Sequence, residues 1–349
     1  MSRSQMKYHS KIGYTYMPSA KLRAIGSSGG YLVRTNAAGF RSDHEFVRPR
    51  RGGVFRALLF GDSQTAGDGG ANSARFGDRL EKAVPGLEIY NYGLSGSGPD
   101  QQFLAYKEYA DVDHDLLVIA LYVENIRRVT RPIVKSRDEI GNEAYYAKPY
   151  YLLENDVLSL HNVPVPKQAW TEQTLPAAYR SQVYSYTETN FFSRADRREQ
   201  GNRTLQGSLM ALAPLAALRL AAKNLAMSCS RFQPLPGYGA ADGPEWLLLR
   251  KILQTWISAS QAPVLLVTIP HYAYIVSAND PTDCQARFKE LAADSGCHLY
   301  DPLSDLWKYP AKERRGFWSD ASGHLSPSGH EVLARQLAPV FEKLIRSPT

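Results

Sequence analysis

The segment Val54-Phe-Arg-Ala-Leu-Leu-Phe60 continues directly into Gly61-Asp-Ser-Gln-Thr-Ala-Gly67 and then into a helical pattern at 74–84. A short apolar run followed by a glycine-rich turn and a helix is typical of a buried strand that feeds a crossover helix. A hydroxyl placed directly after such a strand can project into a cleft at the sheet edge, and Ser63 occupies that position. Gly, Asp, Ser and Thr are also common turn residues, so this segment alone is compatible with a plain turn.

The same alternation recurs along the chain. Further apolar runs alternate with helical patterns. The runs lie at 87–91, 116–122, 263–269 and 297–300. The helical patterns lie at about 99–110, 245–258, 285–293 and 327–345. Strands that alternate with helices imply parallel pairing through right-handed crossovers. The sequence therefore predicts an α/β fold, a doubly wound, flavodoxin-like three-layer α/β/α domain with a five-stranded parallel sheet. Active sites of such sheets lie at the carboxyl ends of the strands.

Two regions interrupt this alternation. Residues 1–52 are expected to form an irregular arm packed on the core, and residues 53–349 the main domain. Within that domain, residues of about 127–244 form a Tyr- and Pro-rich insertion with a helix expected near Gly207 to Met227. The insertion follows the third strand, on the side where an active site would lie. We therefore expect a lid that selects substrate, with simple packing as the alternative.

Composition excludes several classes of protein. The 349 residues are 44% hydrophobic and 21% charged, which excludes wholesale disorder. The formal net charge of +7 comes partly from short basic runs at 48–51, 194–203 and 312–315, without a recognisable nucleic-acid-binding motif. We expect these runs to be solvated faces or contacts to an anionic glycan or lipid headgroup, and we expect no nucleic-acid partner.

The cysteines and the chain termini bear on compartment and cofactors. Cys229, Cys284 and Cys297 lie far apart, and their odd number argues against a disulfide framework, which favours a reducing compartment. Cys and His residues show no metal-ligand spacing, so no metal or cofactor is expected. The amino terminus has no apolar segment behind its basic residues, and no apolar run approaches the roughly 20 residues that span a bilayer. The expected location is cytoplasmic, with peripheral membrane association as the alternative.

Three further blocks follow the Ser63 segment. They are Asn91-Tyr-Gly-Leu-Ser-Gly-Ser-Gly98 after the second strand, Asn125 after the third, and Asp320-Ala-Ser-Gly-His-Leu-Ser-Pro-Ser-Gly-His330 before the last helix. Together the four blocks resemble the SGNH/GDSL hydrolase family, whose members carry a serine, a glycine, an asparagine and a histidine in this chain order. The resemblance covers residues of about 54–126 and 263–346 and implies a fold of the SGNH type.

The resemblance implies a role for each matching residue. Ser63 corresponds to the nucleophile and His324 to the base that takes its proton. The backbone N–H groups of Ser63 and Gly96 and the side chain of Asn125 correspond to the oxyanion hole. Three donors aimed at one oxygen stabilise a tetrahedral intermediate, and loss of one costs about 10²–10³ in rate.

The sequence departs from the family pattern at two places. The family's aspartate stands three residues before the histidine, where this chain has Ala321, and Asp320 lies one residue further away. Either Asp320 completes a triad with His324, or a main-chain oxygen orients the ring instead. The family's Gly-x-Asn-Asp block reads Tyr122-Val-Glu-Asn-Ile126 here, which weakens the match around Asn125.

Other polar residues near these blocks are interpreted as structural. Asp62 is expected to be a scaffold hydrogen-bonding group, His271 a loop residue, His330 a helix-packing residue, and Gly39 the positive-φ position of a turn in the arm.

The function implied by the resemblance is that of a serine hydrolase that cleaves a carboxylic ester through an acyl-enzyme. A short acyl group, such as acetyl, on a sugar or glycan is the expected substrate, because Tyr and Trp residues of the insertion can stack on sugar rings and the surface is basic. The first alternative is an O-acyltransferase that uses the same serine with a sugar acceptor. The second is a non-catalytic glycan-binding or assembly protein that retains the fold, which the shift to Asp320 favours and the intact Ser63 and His324 oppose.

Overall fold

The computed structural model of the chain describes residues 5–26, 29–138, 140–185, 233–319 and 323–346. In chain order the strands of the described residues are β1 (Met6–His9), β2 (Gly13–Tyr16), β3 (Lys21–Gly26), β4 (Gly29–Arg34), β5 (Phe55–Gly61), β6 (Leu87–Asn91), β7 (Leu116–Tyr122), β8 (Ile133–Arg137), β9 (Glu143–Ala147), β10 (Tyr150–Glu154), β11 (Val157–His161), β12 (Val183–Ser185), β13 (Val264–Ile269), β14 (His298–Tyr300), β15 (Trp318–Ser319) and β16 (His324–Leu325).

The helices of the described residues are α1 (Ser63–Ala66), α2 (Phe76–Ala83), α3 (Pro99–Tyr109), α4 (Ile126–Val129), α5 (Pro244–Ala259), α6 (Tyr272–Ile275), α7 (Thr282–Ser295), α8 (Leu303–Leu306), α9 (Ala311–Arg315) and α10 (Pro327–Arg346). Short 3₁₀ turns at Asn72–Ala74 and Val123–Asn125 lie next to the site described below.

The central sheet has five parallel strands in the order β14-β13-β7-β5-β6. Numbered by their order along the chain, these strands read 2-1-3-4-5 across the sheet, which is the flavodoxin-like doubly wound order. Helices α3, α5 and α7 pack against one another, and α2 packs against α10. Right-handed crossovers put these two groups on opposite faces of the sheet. The predicted three-layer α/β/α fold is confirmed.

Continuous burial explains why the central strands were readable from sequence. Every residue of β7 and β13 is buried, so both faces of these strands carry apolar side chains. The order of strands changes direction between β5 and β7, and a crevice opens at their carboxyl ends. The loops after β5, β6 and β7 therefore meet at one place, and these loops carry three of the four motif blocks.

The arm differs from the irregular segment that we expected. It contains two antiparallel hairpins, β1–β2 and β3–β4, followed by a turn. In that turn Gly39 has a φ of 80°, as predicted, and a Cβ there would lie 2.7 Å from the carbonyl oxygen of Tyr16. The hairpins escaped prediction because their strands are short and half-exposed, so their apolar periodicity is weak.

The described part of the insertion is also a β structure. Strands β12, β8 and β9 form a three-stranded sheet, and β10–β11 is a hairpin whose first strand contacts α5. The helix expected near Gly207 to Met227 lies outside the described residues. Across the ranges that the structure describes, no helix is long and apolar enough to cross a membrane.

Candidate active site

Ser63 lies at the first position of α1, directly after β5. Asp62 caps this helix, since its Oδ1 accepts a hydrogen bond of 2.9 Å from the backbone N–H of Gln64. Gly67 ends the helix after one turn with a φ of 74°. The sharp strand-to-helix turn holds Ser63 at the carboxyl edge of the sheet, where 6% of its surface is exposed.

Asp62 is a fully buried carboxylate that links two of the motif blocks. Its Oδ2 accepts hydrogen bonds from Nδ2 of Asn125 at 3.1 Å and from the guanidinium of Arg128 at 3.2 Å. Burial raises the pKa of the Asp62 carboxyl, while the positive charge of Arg128, the Gln64 N–H and the charge of His324 act in the opposite direction. Asp62 therefore has the scaffold contacts that we expected and also lies within electrostatic range of His324.

The loop after β6 brings Gly96 close to the turn at Ser63, since both residues line the same cavity. Asn91 donates from Nδ2 to the carbonyl of Thr65 at 3.0 Å and accepts at Oδ1 from the N–H of Gly93. A Cβ on Gly93 would lie 2.4 Å from the backbone nitrogen of Ala66, so only glycine lets this loop approach α1 so closely. Gly96 follows with a φ of 79°, a conformation that other residues rarely adopt.

His324 is half-buried, lies on β16 and lines the same cavity as Ser63 and Gly96. The side chain of Gln64 fixes the backbone on both sides of it. Gln64 Nε2 donates to the carbonyl of Gly323 at 3.3 Å, and Gln64 Oε1 accepts from the N–H of Leu325 at 2.9 Å. Because Gln64 is the residue after Ser63, one buried amide connects the turn at Ser63 to the backbone on both sides of His324.

Sequence reasoning missed Gln64. Its hydrogen-bonding partners lie about 260 residues further along the chain. The only available signal was that a polar residue directly follows Ser63 in a segment otherwise expected to be buried.

The partner of the His324 ring remains a prediction. Its Nδ1 is buried, and within the described residues no group lies at hydrogen-bonding distance from it. Asp320 lies outside the described residues. The variant Asp320→Asn distinguishes an Asp320–His324 pair from a main-chain oxygen as the partner of the ring. A triad predicts a loss of several orders of magnitude in turnover, and a dyad predicts less than about tenfold.

One cavity brings together three of the predicted site residues. Ser63, Gly96 and His324 all line a cavity of about 300 Å³. Its other lining residues come from the arm (Met6, Tyr14), from the two loops (Asp68, Ser95) and from the insertion (Val134, Ser136, Tyr146, Ala147, Lys148). Asn125 is fully buried and is not part of this lining, and its Nδ2 donates to Asp62, the residue before Ser63. Its oxyanion role stays a prediction that depends on the second N–H of the amide.

The other histidines near the blocks have structural contacts. His330 is buried in α10, accepts a hydrogen bond at Nδ1 from the N–H of Phe76 at 3.3 Å and stacks on the Phe76 ring. Burial lowers the pKa of His330 to about 3, with a further contribution from the charge of His324. His271 caps α6 by accepting from the N–H of Ala273. Among the described residues, no group of three or more His, Cys, Asp or Glu side chains could hold a metal ion.

Among known proteins, similarity to this chain was found only with solved structures. No protein-family model matches the chain, and the search of curated proteins found no relative. Solved structures similar to it include a member of the lipolytic protein G-D-S-L family from Veillonella parvula, with 12% identity, a TM-score of 0.42, and coverage of 83% of this chain and 100% of that one.

A lipase/acylhydrolase from Enterococcus faecalis has 14% identity and a TM-score of 0.42, with coverage of 85% of this chain and 99% of that one. An extracellular lipase from Streptomyces rimosus has 12% identity and a TM-score of 0.42, with coverage of 83% and 99%. At these identities and TM-scores the likeness does not by itself assign a reaction to this chain.

Proposed function

We propose that this chain is a serine hydrolase of the SGNH/GDSL type that cleaves carboxylic esters through an acyl-enzyme. The observation that carries the proposal is the meeting of Ser63, Gly96 and His324 on the wall of one cavity. These residues belong to blocks up to about 260 positions apart in the sequence. A hydroxyl, an imidazole and a glycine N–H that meet at the carboxyl edge of a doubly wound sheet provide a nucleophile, a base and an oxyanion donor for acyl transfer.

In the proposed mechanism, Ser63 Oγ attacks the ester carbonyl carbon while His324 accepts its proton. The negative charge on the carbonyl oxygen is held by the N–H groups of Ser63 and Gly96 and by Asn125. His324 then returns the proton to the leaving alcohol, which leaves an acyl group on Ser63. Water, activated by the same histidine, releases the acid and restores the serine.

A short acyl ester of a sugar is the substrate class that the cavity favours. Two tyrosines, Tyr14 and Tyr146, border it, and its polar lining includes the carboxylate of Asp68 and the hydroxyl of Ser136. Aromatic faces pack against the C–H faces of a sugar ring, while carboxylate and hydroxyl groups bond its hydroxyls. A volume of about 300 Å³ suits a substrate of monosaccharide size rather than a long acyl chain.

The test is a steady-state assay of the purified protein on aryl esters of increasing acyl length and on acetylated sugars, with and without an added sugar acceptor. We expect free acid as the product, fastest release from acetyl esters, and covalent labelling of Ser63 by a phosphonate probe. Acylated sugar without free acid would instead identify an acyltransferase, and the absence of any turnover would favour a binding protein.

A matched pair of variants assigns the nucleophile. Ser63→Ala is expected to abolish turnover and labelling while leaving the unfolding midpoint within a few degrees of the parent. Ser136→Ala removes the hydroxyl of another serine on the same cavity wall. It is expected to keep kcat for an aryl acetate within about threefold, because that substrate has no sugar hydroxyl for Ser136 to bind. Activity that survives Ser63→Ala would contradict the proposed mechanism.

A further inference from the structure

The arm forms part of the wall around the site, although it lies outside the four motif blocks. Strand β2 carries Tyr14 and Tyr16, and both side chains bond to Ser95, the residue before Gly96. The Tyr14 hydroxyl donates to the carbonyl of Ser95 at 2.7 Å, and the Tyr16 hydroxyl accepts from the N–H of Ser95 at 2.9 Å. The arm therefore holds both backbone polar groups of the residue that leads into Gly96.

The hydrogen bonds that join the side chains of Tyr16, Ser95 and Asp68 can have only one direction. Ser95 Oγ lies 2.5 Å from Oδ1 of Asp68 and 2.6 Å from the hydroxyl oxygen of Tyr16. Since a carboxylate only accepts, the Ser95 hydroxyl donates to Asp68, and the Tyr16 hydroxyl donates to Ser95 Oγ. Tyr16 is fully buried, and burial together with the negative charge of Asp68 raises the pKa of its phenol well above the usual range. Tyr16 therefore stays protonated and keeps this direction.

The arm also contacts the other half of the site. Arg41 is fully buried and donates to the carbonyls of Gly67 and Gly70 at 2.9 and 2.7 Å, in the loop that follows the nucleophile turn. Its guanidinium lies 3.6 Å from Asp68 Oδ1, so it supports the carboxylate at the end of the Tyr16–Ser95–Asp68 chain. One short segment of chain thus supports both the loop after Ser63 and the loop before Gly96.

We propose that Tyr16 is a positioning residue of the reaction, which aligns the Gly96 N–H with the oxyanion by fixing Ser95. This inference rests on the proposed function. An oxyanion donor contributes only if it is held within about 0.5 Å of the productive geometry. The interaction is made with the transition state rather than with the bound ester, so its loss lowers kcat and leaves KM unchanged.

The test compares Tyr16→Phe with Tyr8→Phe. Tyr8 is a matched control, because its hydroxyl also bonds the arm to a backbone carbonyl, that of Val165 at 2.7 Å, and it does not line the cavity. With an aryl acetate, we expect Tyr16→Phe to lower kcat by about 10-fold with KM within twofold, and Tyr8→Phe to leave both unchanged. Binding of an alkyl boronate, which becomes tetrahedral on Ser63, should weaken by the same factor in Tyr16→Phe alone.

The possible outcomes separate this inference from the proposed function. Equal kcat values and equal boronate affinities in the two Tyr variants, with Ser63 still essential, would overturn the positioning role and leave the hydrolase assignment intact. Turnover that survives Ser63→Ala would remove both. If Tyr16→Phe does not fold, Ser95→Ala breaks the same hydroxyl chain from the loop side. A kcat loss of at least about threefold in Ser95→Ala then supports the role, and an unchanged kcat overturns it.

Discussion

The arm and the insertion both border the candidate active site, and they do so by different means. The arm reaches the reacting loops through buried hydrogen bonds from Tyr14, Tyr16 and Arg41. The insertion contributes cavity surface through β8 and β9 and is tied to α3 by an ion pair between Lys148 and Asp100. A segment that holds the loops carrying the reacting groups should govern kcat, whereas one that only borders the substrate should govern KM and specificity.

The largest expected effect concerns the attachment of the insertion. Lys148 and Asp100 are both almost fully buried, and Asp100 also accepts from the N–H of Gln101. Lys148→Met would leave the fully buried Asp100 carboxylate without its cation. We expect the free energy of unfolding, measured by urea titration, to fall by about 3–5 kcal/mol.

Two further variants make this measurement specific. Lys251→Met removes a lysine from an ion pair with Asp156, whose side chain is 81% exposed, and should cost under about 1 kcal/mol. Adding Asp100→Asn to Lys148→Met should recover most of the lost stability, because an amide needs no counter-charge. A loss in Lys148→Met as small as in Lys251→Met would show that the ion pair does not fix this wall of the cavity.

A second effect is expected from a region that belongs to neither the arm nor the insertion. His330 has a folded-state pKa of about 3, against about 6.5 in the unfolded chain. Between these values the unfolded state binds more protons, so stability is fully present above about pH 6.5 and falls as the pH decreases. From pH 6.5 to 5 the expected loss is about 2 kcal/mol.

The matching variant is His330→Asn, whose Oδ1 can still accept from the N–H of Phe76. Unfolding titrations at pH 7 and pH 5 should show a smaller pH-dependent loss in this variant by about 2 kcal/mol. An unchanged pH dependence would mean that acid sensitivity arises elsewhere, for example in the buried ion pair of the insertion.

Some strands and candidate site residues were predictable from the sequence, and other contacts were not. Strands 87–91 and 116–122 were predicted with the bounds that the structure gives them. Strand 116–122 is buried at every position, and a strand buried on both faces is a continuous apolar run. The candidate site residues Ser63, Gly96 and His324, which line one cavity, were predicted from the motif order. In each case the signal lies within about ten consecutive residues, where local pattern and chemistry agree.

The contacts that were missed join distant parts of the chain. Tyr16 lies 79 positions from Ser95, and Lys148 lies 48 positions from Asp100, so no local pattern links either pair. The stretch Gly13-Tyr-Thr-Tyr16 did carry one usable signal. Residues two apart in a strand share a face, so a strand here would place Tyr14 and Tyr16 on the same side. Lys148 carried none, because its burial depends on the packing of the insertion against α3.

The smallest expected effect tests whether the insertion governs KM rather than kcat. Tyr146 borders the cavity from β9, and its ring is proposed to pack against the sugar. Tyr146→Ala should raise KM for an acetylated sugar by about 10-fold, equivalent to about 1.4 kcal/mol, with kcat within about twofold, because the contact is the same in the ground state and the transition state. Tyr146→Phe keeps the ring and should keep KM. For a small aryl acetate, which does not fill the sugar position, both variants should resemble the parent. A fall in kcat rather than a rise in KM would place the insertion, like the arm, among the parts that position the reacting groups, and the distinction between the two regions would fail.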